Sequence, residues 1–349
     1  MKLRQSLLLA IWLAFPAALA AQTRKPATVA EIATYLGADR ERVLYSGAKT
    51  DGVVTWYTSL AGDSYKALAR AFESAYSGLR VEAFRSGGSE LTARMSEEAK
   101  ARRPAFDVLE TTYDFMMVAR AANLTRPYHS PALTAYPNEA KEKAEKGLTF
   151  WTIFRESYMG FGYSKEQVPP SAAPKGFDGL LNPQLKGKMG ITLNESSARM
   201  IGAMIKIKGE GFVKKLKAQE IRVYTVSSAA LVDLMASGEL GASFHIYRNH
   251  ALVSAERGSP VAWTPLELVP TNSGCVALAA QPPHAYAAAL FVDFLLSPGA
   301  RKILEKFQYG HPSNEMSFKR WHPGFGRSLE QFERDSEHWE RLAKEISQR

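Results

Sequence analysis

Apolar and polar positions along this chain switch repeatedly between a two-residue and a helical period. Val53-Val54-Thr55-Trp56-Tyr57-Thr58 is rich in β-branched and aromatic residues and reads as a strand, with a polar break at 59–62. From Asp63 to Tyr76 the residues Leu68, Ala71, Phe72 and Ala75 fall on one helical face. Val81 to Phe84 alternates again, the chain breaks at Gly87-Gly88, and Leu91, Met95 and Ala99 then recur at helical spacing. Ser86 or Ser89 can cap that helix, with Glu90 early in its first turn. Phe106 to Leu109 is a third strand, ending through Thr111-Thr112 and leading into a helix that reaches Ala121. Strands and helices in strict alternation imply a parallel sheet with helices on its faces.

The second half shows its own alternation. Leu148 to Ser164 is extended and aromatic; Lys188 to Leu193 is a strand, and Asn194-Glu195-Ser196-Ser197 caps the helix after it. Val223 to Val226 and Ala242 to Ile246 are strands, each followed by a helix. Thr271 to Ala280 is a further strand, Ala285 to Leu296 a strongly apolar helix, and Ser328 to Ile346 a last helix with Leu329, Phe332, Trp339, Leu342 and Ile346 on one face. Ligands of α/β sheets bind at the carboxyl ends of strands. The strand ends here carry Ser59, the Ser86–Ser89 turn, Thr111–Thr112, Asn194–Ser197, Thr225–Ser228 and Tyr247–Arg248. Glycines and hydroxyls opening helices expose backbone N–H groups and the positive end of the helix dipole, which suits an anion or a polar ligand.

Composition narrows the class. The chain has 349 residues, 46% hydrophobic and 23% charged, enough for two domains with sizeable cores. The net charge of +9 is spread along the chain without an arginine-rich block or basic-aromatic interleaving, so no nucleic-acid partner is expected. Met1 to Arg4 is short and basic, Ser6 to Leu19 apolar, and Ala18-Leu19-Ala20 a small-x-small cleavage signature. Cys275 is the only cysteine, so no internal disulfide can form. Export without disulfides fits a bacterial periplasm. His245 and His250 lie on different predicted elements, so no shared metal is expected, and no cofactor either. No nucleophile elbow, zinc-helix motif or pair of catalytic carboxylates is present to mark an exported hydrolase.

Several phrases carry a resemblance: VVTWYTSLAGD at 53–63, FDVLETT at 106–112, LLNPQLKGKMG at 180–190, VDLMASGELGASF at 232–244 and AAALFVDFLLSPGARKIL at 287–304. The chain resembles the periplasmic solute-binding proteins of bacterial ABC importers, in the branch that includes ferric-ion-binding proteins, over roughly 53–312. The resemblance implies an α/β, two-domain type 2 periplasmic-binding-protein fold with two crossover hinge segments and a central ligand cleft. The crossovers are expected near Ser157–Tyr163 and Ser273–Ala280. The expected divisions are a signal peptide at 1–20, an N-terminal extension at 21–50, a first domain of 51–157 plus 279–349, and a second of 158–278. A monomer that hands its ligand to a membrane permease follows from the same resemblance.

Ferric-binding members carry adjacent tyrosines about where this chain has Tyr247-Arg248. Two phenolates suit Fe(III), whereas one tyrosine beside a cation suits an oxyanion. The expected ligand is therefore a small organic anion, carboxylate or phosphate. Its expected contacts are Ser59, Ser86, Gly87, Gly88, Ser89, Thr112, Arg155 near the first crossover, Ser196, Ser227, Tyr247 and Arg248. A ferric ion with a synergistic anion, a ligand-presenting sensor, and an exported hydrolase are the alternatives.

Overall fold

The computed structural model describes residues 25–348, so the expected signal segment lies outside the described residues. The chain opens with α1 (Val29–Thr34) and α2 (Arg40–Asp51), then runs β1 (Val53–Thr58), α3 (Ser64–Ala75), β2 (Arg80–Arg85), α4 (Gly88–Lys100), β3 (Val108–Thr112) and α5 (Tyr113–Ala121). β1 pairs in parallel with β2 and with β3, as the alternation implies. After the short strands β4 (Thr125–Arg126) and β5 (Lys141–Lys143) comes β6 (Thr149–Ser164), a single unbroken strand of 16 residues. The second half contributes β7 (Gly190–Ile191), α6 (Glu195–Lys208), α7 (Glu210–Lys215), β8 (Arg222–Val223), α8 (Ala230–Ala236), β9 (Ala242–Tyr247), α9 (Arg248–Glu256) and β10 (Val261–Thr264). The chain returns through β11 (Val269–Ala279), α10 (Ala285–Leu295) and α11 (Pro298–Lys306), and finishes with β12 (Arg320–Trp321) and α12 (Leu329–Ser347).

β6 and β11 belong to both lobes. The first part of β6 lies against β5 and β11, and its last residues, Met159 to Ser164, pair with β9 and β10. In β11, Gly274 to Leu278 pair with β3 of the first lobe, while Thr271 to Ser273 face Tyr158 to Glu156 of β6. The passage between lobes is thus centred on 156–158 and 271–273. The second crossover comes earlier than the expected 273–280, because the residues after Ser273 are claimed by the first-lobe sheet. β-Strands shared by two lobes make a stiff, two-stranded hinge of the kind that permits rigid-body closure.

Each lobe has its own core. In the first, Trp56, Phe72 and Phe291 meet edge-on with centroids 5.1 and 4.9 Å apart, and α10 packs closely on α2. In the second, Phe161, Phe177, Met200, Ile201 and Phe244 are buried together. The last helix departs from expectation. Phe332, Trp339, Leu342, Ala343 and Ile346 are buried in the second-lobe core, not the first, and α12 packs on α6 and α7. Residues 310–321 make this possible by running along the hinge: Gly310 pairs with Glu156, and Arg320-Trp321 pair with Val269-Pro270 of β11. The chain is delivered to α6 there, and Gly202, where any Cβ would collide with the Trp339 indole, leaves room for the ring. α10 and α11 thus pack in the first-lobe core and α12 in the second.

Candidate functional site

Because β1, β2 and β3 are parallel, Thr58, Arg85 and Glu110 lie side by side, and the turns after them open on one edge of the first lobe. The turn after β1 is shaped by a buried carboxylate. Glu110 Oε2 accepts from the Thr58 hydroxyl at 2.6 Å and from the N–H groups of Ser59 and Leu60 at 2.9 and 3.0 Å. Its other oxygen accepts from Arg155 Nε at 3.0 Å and Nη2 at 2.6 Å. Arg155 is only 4% exposed, and a Cβ at Gly274 would overlap its guanidinium. Arg155 is thus a brace for the Ser59 turn, with its charge paired to Glu110.

In the turn after β2 neither Ser86 nor Ser89, the expected caps, takes that role. Gly87 is the extended N-cap of α4 and supplies no side-chain cap; Gly87 and Ser89 are exposed. The Ser86 hydroxyl is turned onto the Glu90 carboxylate. Gly88 is required by packing, since a Cβ there would enter the Phe115 ring. Thr112 N-caps α5 through an extended backbone without a side-chain cap; its hydroxyl donates to Asp114 Oδ1 at 2.5 Å. Asp114 Oδ2 then accepts from Arg199 Nη2 of α6 at 2.7 Å, an ion pair that joins the lobes with both side chains mostly buried. Asp114 and Arg199 carry no local sequence signal; only the approach of α5 and α6 pairs them.

On the second lobe, Asn194 caps α6, accepting from the N–H groups of Ser196 and Ser197. The Ser196 hydroxyl is buried in a closed network with Asn194 Oδ1 at 2.7 Å, Ser228 Oγ at 2.7 Å and His245 Nδ1 at 3.2 Å. His245 Nε2 accepts from the Thr192 N–H at 3.2 Å, which assigns the ring proton to Nδ1. Ser196 is internal, with its hydroxyl engaged in this network. Ser227 is exposed and its hydroxyl accepts from the Ala230 N–H. Tyr247 closes β9 half-buried, with its hydroxyl 3.2 Å from Asn272 Nδ2 on β11. Burial pushes its phenol upward, opposed by the Arg199 charge, so it is protonated at neutral pH. Arg248 opens α9 half-buried, and no hydrogen bond or ion pair to its guanidinium is present among the described residues. Between the lobes, beside this edge, lies a cavity of about 410 Å³ reached by Gly62, Asp63, Asn249, His250 and Tyr309.

A family model described as bacterial extracellular solute-binding protein matches residues 54–309. The chain belongs to that family. Comparison with curated proteins gives no match. Among solved structures, the substrate-binding protein of an ABC transporter from Agrobacterium tumefaciens aligns with a TM-score of 0.72 at 14% identity, covering 84% of this chain and 94% of that one. Iron-bound HitA from Pseudomonas aeruginosa aligns at 0.65 and 20%, covering 85% and 99%. The periplasmic binding protein AfuA from Actinobacillus pleuropneumoniae, with fructose-6-phosphate bound, aligns at 0.66 and 20%, covering 83% and 98%. At such identities these likenesses establish the two-lobed periplasmic binding fold.

In this solute-binding protein the edges of both lobes face each other across the hinge, joined by Asp114–Arg199. No cluster of three or more His, Cys, Asp and Glu side chains suited to a metal is present among the described residues, and no described helix is long and apolar enough to cross a membrane.

Two predictions follow from this packing. Arg155→Ala leaves Glu110 buried and unpaired and should cost about 3–5 kcal/mol in urea unfolding; unchanged stability with weakened ligand binding would return Arg155 to the ligand. Burial pushes His245 down to about 3. Unfolded histidine titrates near about 6.5, so the neutral ring's contribution is complete above that pH and is lost as pH falls from there toward the folded value. At pH 5 the loss should be on the order of 2 kcal/mol relative to pH 7.5. His245→Gln, which keeps an acceptor for the Thr192 N–H, should lose less over the same interval; equal losses would mean that His245 does not resist protonation in the fold.

Proposed function

We propose that this protein is the solute-binding component of an ABC importer, and that it captures a small organic anion, carboxylate or phosphate, between its lobes. The observation that carries the reading is how helices begin at the cleft. α4, α5 and α9 follow directly on β2, β3 and β9 and start at Gly87, Thr112 and Tyr247 with no side-chain cap. α2, α3, α7, α8 and α10 lack one too, while α1, α6, α11 and α12 are capped by Thr28, Asn194, Ser297 and Ser328, so it is the strand-end position of α4, α5 and α9 that supports the reading. Uncapped N-termini leave N–H donors and the positive dipole end for a ligand. Arg248, unpaired at the head of α9, supplies the full charge that such a ligand needs.

In this reading Gly87, Gly88 and Ser89 offer backbone donors, Ser59, Ser86, Thr112 and Ser227 offer hydroxyls, and Tyr247 and Arg248 close from the second lobe. The ferric alternative asks Tyr247 to ionise alone beside an arginine, against the upward push of its burial. The bound ligand would leave unchanged for a membrane permease, which separates this role from that of an exported hydrolase.

Native mass spectrometry of the purified protein should reveal a retained small anion. Calorimetry with that anion should show Arg248→Ala weakening binding by about thirtyfold or more, the loss of a buried charge-assisted contact worth roughly 2–5 kcal/mol. Unchanged affinity with folding intact would move the site elsewhere, and a tight one-to-one ferric complex with tyrosinate absorbance would replace the anion by iron. We further propose export to the periplasm, on the basic, apolar and Ala-x-Ala order of residues 1–20. N-terminal sequencing of the periplasmic protein should begin at Ala21 or within a few residues; an intact Met1 in that fraction would refute cleavage.

A further inference from the structure

Two side-chain pairs cross from one lobe to the other beside the hinge. Asp114 Oδ2 of α5 accepts from Arg199 Nη2 of α6 at 2.7 Å, with the two side chains 15% and 8% exposed. Gln308 Nε2 donates to Glu256 Oε1 at 2.7 Å, from the residue after the C-cap of α11 to the last residue of α9. Tyr309, next to Gln308, is buried in the first-lobe core, whereas Ala251 of α9 is buried with Ile246 and Val261 of the second lobe.

The strand register places these pairs on opposite flanks of the hinge. Glu156 on β6 pairs with Gly310 on one side and with Ser273 of β11 on the other. Gly274 of β11 pairs in turn with Thr112 of β3. Gln308 lies two residues before Gly310, and Asp114 two residues after Thr112, so the hinge strands run between them. A tie on one flank alone leaves the two strands free to twist about it. Ties on both flanks resist twisting and bending together.

The second tie is made against a local preference. Gln308 stands at the C′ position of α11 with φ +61°; its N–H bonds to Glu305 C=O and the Tyr309 N–H to Leu304 C=O, a pattern that usually carries glycine. A side chain in left-handed backbone is costly, and glycine avoids that cost. Glutamine stands there instead, its amide reaching the other lobe, and such local conflicts are expected at functional positions. Glu256 also ends the helix that Arg248 begins, about 12 Å along its axis, so this tie and the cleft end of α9 move as one body.

We infer that Asp114–Arg199 and Gln308–Glu256 form a two-point latch that holds the lobes closed through protein contacts alone, so that a ligand selects a closed form already populated. The mostly buried ion pair is the stronger point and the exposed Gln308–Glu256 bond the weaker. The latch is independent of the chemistry of the ligand.

Nitroxide labels on Arg70→Cys of α3 and Glu239→Cys after α8 read the gap by double electron–electron resonance; both positions are exposed, and Cys275 is buried. Asp63 at the start of α3 and Val232 on α8 line one interlobe cavity, so the labels sense its width. In the dialysed full mature protein without added ligand, the short-distance population should predominate. Gln308→Gly should lower the closed-to-open ratio about three- to tenfold, while melting no lower than the wild type because glycine relieves the backbone. Asp114→Asn, which keeps the side chain's shape, should lower the ratio about tenfold or more. The two effects should multiply in the double variant, because the pairs share no residue. Unchanged distances in both single variants, or a long-distance population already dominant in the wild type, would overturn the inference. Opening in Asp114→Asn alone would overturn it too, leaving a single tie. Calorimetry with the retained anion is a separate measurement, so none of these results decides the anion reading.

Discussion

Glu110 and Arg155 hold the centre of this molecule. The carboxylate lies at the end of β3, between the turn after β1 and the start of the hinge, and is completely buried. One oxygen organises Thr58, Ser59 and Leu60; the other takes two N–H bonds from Arg155 on β6. A buried ion pair contributes little net stability compared with an apolar replacement, but breaking one side of it is costly. What it supplies here is position. The turn that faces the cleft, the strand that leads into the hinge and the glycine at 274 on the returning strand are all set relative to one carboxylate. Glycine at 274 follows from this, since no other residue leaves space for the guanidinium.

The hinge itself is braced from behind. Glu156, buried at the crossing of β6, accepts from Tyr158 Oη at 2.9 Å and Arg320 Nη1 at 2.7 Å. His322 Nδ1 lies 2.9 Å from Ser273 Oγ on the opposing strand. The segment that carries Arg320 and His322 goes on to α12, so the helix that completes the second-lobe core is tied to both hinge strands. The two lobes thus have separately complete cores, joined through strands on which Glu156 and Ser273 are paired. On the cleft side the sole ion pair linking α5 to α6 among the described residues is Asp114–Arg199, which opening would have to break.

Most of the described helices start without a side-chain cap, so what bears on binding is where the uncapped starts lie. Thr28, Asn194, Ser297 and Ser328 each satisfy N–H donors at the start of their helices. At Gly87, Thr112 and Tyr247 the side chain is absent or turned elsewhere, with Thr112 bonded to Asp114 and Tyr247 to Asn272. A capped helix start contributes roughly 0.5–2 kcal/mol to stability. Forgoing it at adjacent strand ends is the kind of local conflict that binding sites retain.

Local patterns were enough to read the alternation of strands and helices in both halves, the glycine turn at Gly87-Gly88, the cap at Asn194, and membership in the solute-binding family. Each depends on residues within one or two helical turns, where period and side-chain chemistry act directly on the backbone. What Arg155 and Ser196 are bonded to could not be read in this way. Both sit where a ligand residue would, but whether a polar side chain faces a ligand depends on partners far away in the chain: Glu110 for Arg155, and Ser228 and His245 for Ser196. The same holds for Asp114 with Arg199 and for the lobe to which α12 returns. The stripe on α12 announced a buried face, and only the path of residues 310–321 along the hinge decided which core it would bury. Sequence determined what each segment is and which ends are open; strand register and the crossing of β6 with β11 decided which charges meet, because pairing across the lobes is a property of distance in space and not of spacing along the chain.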